Sequence, residues 1–179
     1  PMQFPFAACV LDDQGYEWGI QGAMRYGRTL AYHKPVVSLP CTADHAKEAW
    51  IRDHLRYGAF PGGYTAGTHL NLEAMRRYVP VLKAMSAAGW EPVPYARAID
   101  PSIVIERFGG QKPGPIYFSL HNPADETKTT RVKLDTKSLP AITPASSVRD
   151  MVTGATLGNA FAFAVELPPG DVTVVEAQR

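Results

Sequence analysis

The chain has 179 residues, a 45% apolar share and a net charge of +1. That length allows one large domain or two small ones, and the apolar share is ordinary for a globular protein. No basic run or stripe appears, so nucleic acid is not an expected partner. The longest apolar runs fall far short of the roughly 18 residues of a membrane span, so a membrane partner is not expected either.

No signal peptide is visible, and because the chain starts at Pro1 the compartment is left open. The two cysteines, Cys9 and Cys41, sit at expected strands or strand ends and read as small buried thiols. No CxxC or Cys/His cluster has metal-ligand spacing, so no metal is expected. The 16 prolines and 15 glycines are spread along the chain as turn punctuation.

Residues 4–11 are almost wholly apolar, which suits a short strand buried on both faces of a parallel sheet. Asp12-Asp13-Gln14-Gly15 is a turn signal. A helix is predicted from about residue 16 to 32, with Ile20, Met24, Gly27 and Ala31 inward and Arg25 and Arg28 off that face. Residues 34–39 form the second buried strand. Thr42 or Asp44 can cap the next helix, which runs to about residue 57 with Ala46, Trp50 and Ile51 or Leu55 inward. Residues 58–60 make a third short strand, ending in Pro61-Gly62-Gly63-Tyr64. A third helix covers about 71–88, with Leu72, Met75, Val79, Leu82 and Met85 or Ser86 inward. Pro80 lies inside it and removes the bond to the Arg76 carbonyl.

Residues 1–90 thus read as strand followed by helix three times, a parallel βα architecture. Three strands are too few for a closed eight-stranded barrel, which takes about 250 residues. Between 82 and 120 the period changes from 3.6 to 2. Residues 91–179 read as all β: 92–97, 103–108, 116–120, 130–135, 148–154, 161–167 and 172–176. Ile116, Phe118 and Leu120 alternate with Tyr117 and Ser119, and Thr130, Val132 and Leu134 alternate with Arg131, Lys133 and Asp135. A turn at 122–126 is predicted to join these two strands as a hairpin. Phe161, Phe163, Val165 and Leu167 alternate with Ala162, Ala164 and Glu166. Such alternation puts one face on a core and one in water, as in a small antiparallel β-sandwich. The expected fold class is α/β followed by all-β.

Two passages carry a resemblance. One runs from Arg77-Tyr78-Val79-Pro80-Val81-Leu82-Lys83 through Ala88-Gly89-Trp90-Glu91-Pro92-Val93 to Val104-Ile105-Glu106-Arg107-Phe108-Gly109. The other joins Tyr117-Phe118-Ser119-Leu120-His121-Asn122-Pro123, Val148-Arg149-Asp150-Met151-Val152-Thr153-Gly154 and Val165-Glu166-Leu167-Pro168-Pro169-Gly170. Together they resemble the end of a (β/α)8-barrel glycoside-hydrolase-like protein with its trailing β-sandwich. The resemblance implies that residues 1–90 are the last three βα units of a partial barrel, and that the partner is a missing N-terminal barrel portion or another copy of the chain. It implies carbohydrate as substrate and acid–base glycoside hydrolysis with no cofactor. The alternative is a non-catalytic structural or glycan-binding module.

In such barrels the active site lies at the C-terminal ends of the strands, and a carboxylate pair flanks the scissile bond. Asp12, Asp13 and Glu17 are the catalytic candidates. An Asx turn and helix cap are the other reading of the aspartates, and Glu17 also suits the first turn of a helix. Tyr16, Trp18 and Tyr64 are candidate sugar-stacking platforms, with core packing the other reading of Trp18. His69 is the histidine best placed to reach the site. His33, His45, His54 and His121 are scattered, and none pairs with Ser38 or Cys41 in a nucleophile motif.

Overall fold

The computed structural model describes residues 8–11, 19–39, 47–62, 71–143 and 145–178, with the backbone alone at 8–11, 19–23 and 39. The chain divides into two compact units, Pro1–Gly89 and Trp90–Arg179.

In the first unit β1 (Ala8–Leu11), β2 (Val36–Leu39) and β3 (Phe60–Pro61) form a parallel sheet in the order β1-β2-β3. The register places Leu11 opposite Leu39 and Ser38 opposite Pro61. The intervening helices are α1 (Gly19–Ala31), α2 (Glu48–Asp53) and α3 (Leu72–Ala88), with a 3-10 turn at His54–Arg56. Met24, Ala31, Val36, Tyr57 and Ala59 pack together.

The inward faces differ from expectation in two places. Arg28 is buried, with 7% of its surface exposed. At 100° per residue, position 28 falls only about 40° from Met24, inside the inward stripe, and a long aliphatic stem can line such a site. On α3 the buried residues are Ala74, Tyr78, Val81, Leu82 and Met85, while Leu72 is exposed and Met75 and Val79 are half-buried. The stripe is rotated by roughly one position, which leaves Pro80 outside. There the missing donor opposite the Arg76 carbonyl faces solvent, and the helix continues through the proline.

Asn71 starts α3 by accepting the Ala74 amide at 3.0 Å. Gly89 ends it at φ +84°, where an added Cβ would stand 3.0 Å from the His33 ring. The N-cap of α2 is Lys47, which makes no side-chain cap bond. The expected caps, Thr42 and Asp44, lie outside the described residues. Ile51 and Leu55 are both fully buried.

The second unit is one antiparallel sheet ordered β4-β6-β7-β12-β9-β10-β11-β8-β5. Its strands are β4 (Trp90–Glu91), β5 (Ala96–Ala98), β6 (Val104–Phe108), β7 (Ile116–His121), β8 (Lys128–Leu134), β9 (Ser147–Asp150), β10 (Thr156–Asn159), β11 (Ala162–Leu167) and β12 (Val172–Gln178). A single core gathers Ile116, Phe118 and Leu120 from β7 with Val132 and Leu134 from β8. Phe163, Val165 and Leu167 of β11 and Val175 and Ala177 of β12 join them. The sheet therefore curls until distant strands share one interior.

β8 and β11 show the expected alternation, with Arg131, Lys133, Ala164 and Glu166 outward. Phe161 does not; it is 60% exposed, in the turn between β10 and β11. The 116–120 and 130–134 strands do not form the expected hairpin. β7 pairs with β6 and β12, and β8 with β11 and β5. The turn at 122–126 is a crossover, as is the one from β11 to β12.

Asn122 stitches these two crossovers together. It is fully buried, and its Nδ2 donates to the carbonyls of Glu126, Leu167 and Pro168 at 2.8, 3.0 and 3.0 Å. Its amide donates to the Asp171 carbonyl.

Tyr117 and Ser119, expected to face water, are buried. β7 lies inside the sheet, and its second face sets Tyr117 against Glu176 of β12. Burial, and then the Glu176 carboxylate, push the Tyr117 phenol up to about 12. Paired polar groups can be buried in this way without an orphaned donor.

Candidate functional site

In a parallel sheet every strand points the same way, so β1, β2 and β3 all end at one edge. Leu11, Leu39 and Pro61 mark that edge, and the Gly62 amide extends it with a 2.8 Å bond to the Ser38 carbonyl. Neighbouring strands stand about 4.8 Å apart, so the outer pair is separated by roughly 10 Å. Carboxyl groups that flank a glycosidic bond are separated by roughly 5 to 9.5 Å, a span such an edge can offer.

The sequence-derived site residues follow these strand ends directly. Asp12, Asp13, Tyr16, Glu17 and Trp18 come after β1, and Tyr64 and His69 come after β3. All seven lie outside the described residues, as do Cys41 and His45. The topology thus brings together the strand ends from which their segments leave.

The described histidines have structural partners. His33 lies between α1 and β2, at the opposite end of the sheet, stacked on Tyr32 with ring centres 4.1 Å apart. His54 is buried, with Nδ1 2.8 Å from the Trp50 carbonyl. His121 is buried in β7. Ser38 is 1% exposed within β2. Among the described residues, no group of three or more histidines, cysteines or carboxylates is arranged to hold a metal. None of the described helices is long and apolar enough to cross a membrane.

Sequence reasoning did not single out a carboxylate on the helix layer. Glu48, in the first turn of α2, accepts the Tyr78 hydroxyl at 2.7 Å and an Arg77 Nη at 3.1 Å. The Tyr78 hydrogen bond, with help from Arg77, holds the Glu48 carboxyl below its usual range. Burial, and then Glu48, raise the Tyr78 phenol. This network ties α2 to α3. Only the inward spacing of Tyr78 from Ala74 and Leu82 could have hinted at it.

The second unit holds a feature with no sequence signature. A cavity of about 640 Å³ runs along β5, lined by residues 93–99 and by Lys133, Leu134 and Asp135. Tyr95 on its wall has φ +50°, uncommon for a non-glycine residue.

The turn motifs in the two passages have structural explanations. Asp150 Oδ1 accepts the Val152 and Thr153 amides at 2.7 and 2.8 Å, and its Oδ2 accepts the Thr173 hydroxyl at 2.9 Å. That accounts for Asp150, Thr153 and the positive-φ Gly154 as one turn after β9.

No family model and no curated protein matches the sequence. Solved structures do match the fold. An α-amylase from Geobacillus thermoleovorans, solved with acarbose, aligns with a TM-score of 0.56 and 10% identity over 89% of this chain and 43% of its own. A candidate α-galactosidase/melibiase from Bacteroides fragilis aligns at 0.51 and 14% over 78% of this chain and 29% of its own. A second candidate α-galactosidase from Bacteroides fragilis aligns at 0.51 and 11% over 96% and 47%. The chain therefore spans less than half the length of these glycoside hydrolases. At such identities the likeness is one of fold.

Proposed function

We propose that the chain is part of a carbohydrate-active, glycoside-hydrolase-like protein. In this reading the first unit contributes the last βα units of a (β/α) barrel and the second is the β-sandwich that trails it. The observation that carries the reading is the alignment of 89% of the chain, reaching into both units, with an α-amylase fold. The common C-terminal edge of β1, β2 and β3 adds to it, because barrel active sites lie at that edge. The edges of β1 and β3 call for further strands, supplied by an N-terminal barrel portion or a second copy.

Hydrolysis would follow acid–base chemistry on a glycosidic bond. Asp12, Asp13 and Glu17 supply the acid or base from this chain, and an additional carboxylate can come from the completing portion. Tyr16, Trp18, Tyr64 and His69 hold the sugar. The test is release of 4-nitrophenol from α-galactoside and α-glucoside substrates by the natural protein. Asp12→Asn, Asp13→Asn or Glu17→Gln should cost at least about 10²-fold in kcat where that residue is the acid or base. Undiminished turnover in all three variants would remove these residues from the chemistry. Native mass spectrometry of the same protein tests the completion: a stable 19.5 kDa monomer argues against it.

The second reading, a non-catalytic structural or glycan-binding module, is favoured by the cavity along β5 in the second unit.

A further inference from the structure

β5 is an edge strand whose sheet partner is β8, and the register sets Arg97 directly opposite Lys133. Both side chains are exposed, both line the cavity, and neither makes an ion pair with a described residue. Like charges placed directly opposite on one sheet face repel, so this pair destabilises the free protein. An anion seated between them turns the repulsion into two attractions. Arg131 extends the same outward face by one step along β8, and the small Ala164 opposite it leaves room above β11.

Among the described lining residues the one acidic residue, Asp135, does not cancel this charge by pairing with it. The Asp135 carboxylate accepts the Ser138 hydroxyl at 2.7 Å and the Lys137 amide at 3.1 Å, closing its own turn. These bonds, the Ser138 hydroxyl first, hold its pKa below the ordinary value.

An aromatic residue, Tyr95, lines the same cavity as the charge pair. Tyr95 keeps its left-handed backbone with its carbonyl accepting the Asp135 amide at 2.8 Å. The Arg107 guanidinium lies 5.2 Å from the ring centre. Arg107 is itself buried, with Nε donating to the Val93 carbonyl at 2.7 Å, Nη1 donating to the Gly109 carbonyl and Nη2 3.7 Å from Glu91. Strained backbone that the surroundings over-determine is a hallmark of binding sites. Tyr95 lines the same cavity as Arg97 and Lys133, together with Val93 and Ile99.

We propose that this cavity is a binding site for an anionic saccharide. The apolar face of one sugar ring rests against Tyr95, and its carboxylate or sulfate sits between Arg97 and Lys133. The step is binding alone, with no bond made or broken. The charge pair and the ring stand independently of any activity in the first unit. The choice of a sugar over another ring-bearing anion rests on the proposed glycoside-hydrolase reading.

The test is calorimetric titration of the full chain with tri-galacturonate, neutral maltotriose, inorganic sulfate and phenyl phosphate. Tri-galacturonate should bind, and raising the salt to about 0.5 M should weaken it by about tenfold. Arg97→Gln and Lys133→Gln, both at exposed positions, should each weaken it by about tenfold. Tyr95→Asn keeps a residue tolerant of positive φ and removes the ring, and should cost about fivefold. The proposal is overturned if tri-galacturonate does not bind, if maltotriose binds as well, or if Arg97→Gln and Lys133→Gln leave binding unchanged. Equal affinity for sulfate would reduce the site to one for a bare anion, and tighter binding of phenyl phosphate would reject the sugar; either result overturns it. Tri-galacturonate binding without glycoside hydrolysis would remove the proposed activity and leave this site standing.

Discussion

The two units use different sheets, and the contrast shows what each sheet needs in order to bury its apolar residues. In the antiparallel unit, strands far apart in the order share one interior. Phe118 on β7 and Val132 on β8 belong to the same core although β12, β9, β10 and β11 lie between their strands. Curling the sheet achieves this, and crossovers such as the one at Asn122 make the curl possible. In the parallel unit the described strands are short and β1 and β3 are edges. Parallel sheets are normally covered on both faces and continue through further βα units. The antiparallel unit curls over one shared core between its edge strands β4 and β5, whereas the described strands of the parallel unit form a short three-stranded layer.

That contrast can be broken by core truncation. Phe118 and Leu82 are both fully buried, one in each unit. Phe118→Ala should cost about 3–5 kcal/mol and Leu82→Ala about 2–5 kcal/mol. Hydrogen-exchange mass spectrometry on the full chain distinguishes them. Phe118→Ala should accelerate exchange in β7, β8 and β11 while α3 keeps its protection, and Leu82→Ala should do the reverse. Equal acceleration everywhere would mean that the chain opens as one cooperative block.

Asn122→Ala sharpens the account of the curl. It removes three side-chain donations and leaves the Leu167 carbonyl inside without that donor. The expected loss is about 3 kcal/mol, read from urea unfolding of the full chain. Asn122→Asp keeps the acceptor for the Ala124 amide but not the donors, and should fare little better. A loss under about 1 kcal/mol would show that the crossovers hold without this residue.

The same contrast explains what could be read in advance. A period of two is unambiguous where one face meets water, so Thr130, Val132 and Leu134 were legible as inward residues. It fails on β7, because the pattern cannot say that Tyr117 and Ser119 are buried as well. Strand pairing was less legible still. A turn sequence at 122–126 suits a hairpin, and only the long-range pairing of β7 with β12 and of β8 with β11 makes it a crossover. On α3 the apolar residues Leu72, Met75 and Val79 competed with Ala74, Tyr78 and Val81, and Pro80 decided the face. The shared C-terminal edge of β1, β2 and β3 was legible, because parallel strands end together; the site residues expected on it lie outside the described residues. The β5 cavity was not legible: it depends on the cross-strand pairing of Arg97 with Lys133 and on the backbone of Tyr95, which local sequence does not encode.

A smaller effect is expected from Tyr117. Its phenol is pushed up to about 12 in the fold, above the ordinary tyrosine value of about 10. A raised value means that the unfolded chain loses its proton first. The contribution is intact below pH 10 and is lost as the pH climbs through 12. The unfolding midpoint of the antiparallel unit should therefore fall over that window. Tyr117→Phe should flatten this part of the profile, and an unchanged slope would remove Tyr117 as its source.

The smallest effects belong to the helix layer of the parallel unit, where exposure decides which partner of Glu48 matters. Tyr78 is 1% exposed, and its hydroxyl donates to Glu48 at 2.7 Å. Tyr78→Phe should cost about 1 kcal/mol, the ordinary net value of such a bond. The Arg77 and Glu48 side chains are 58% and 49% exposed, so water and salt screen their ion pair. Arg77→Gln should leave the urea midpoint where it was. The two partners also separate by pH. Glu48 is held below 4.5 in the fold, first by the Tyr78 hydroxyl and then by Arg77. Its contribution is therefore intact above that value and fades as the pH falls through the folded one. Tyr78→Phe should weaken this acid-side dependence more than Arg77→Gln does. The reverse order would make the exposed ion pair, and not the buried phenol, the link between α2 and α3.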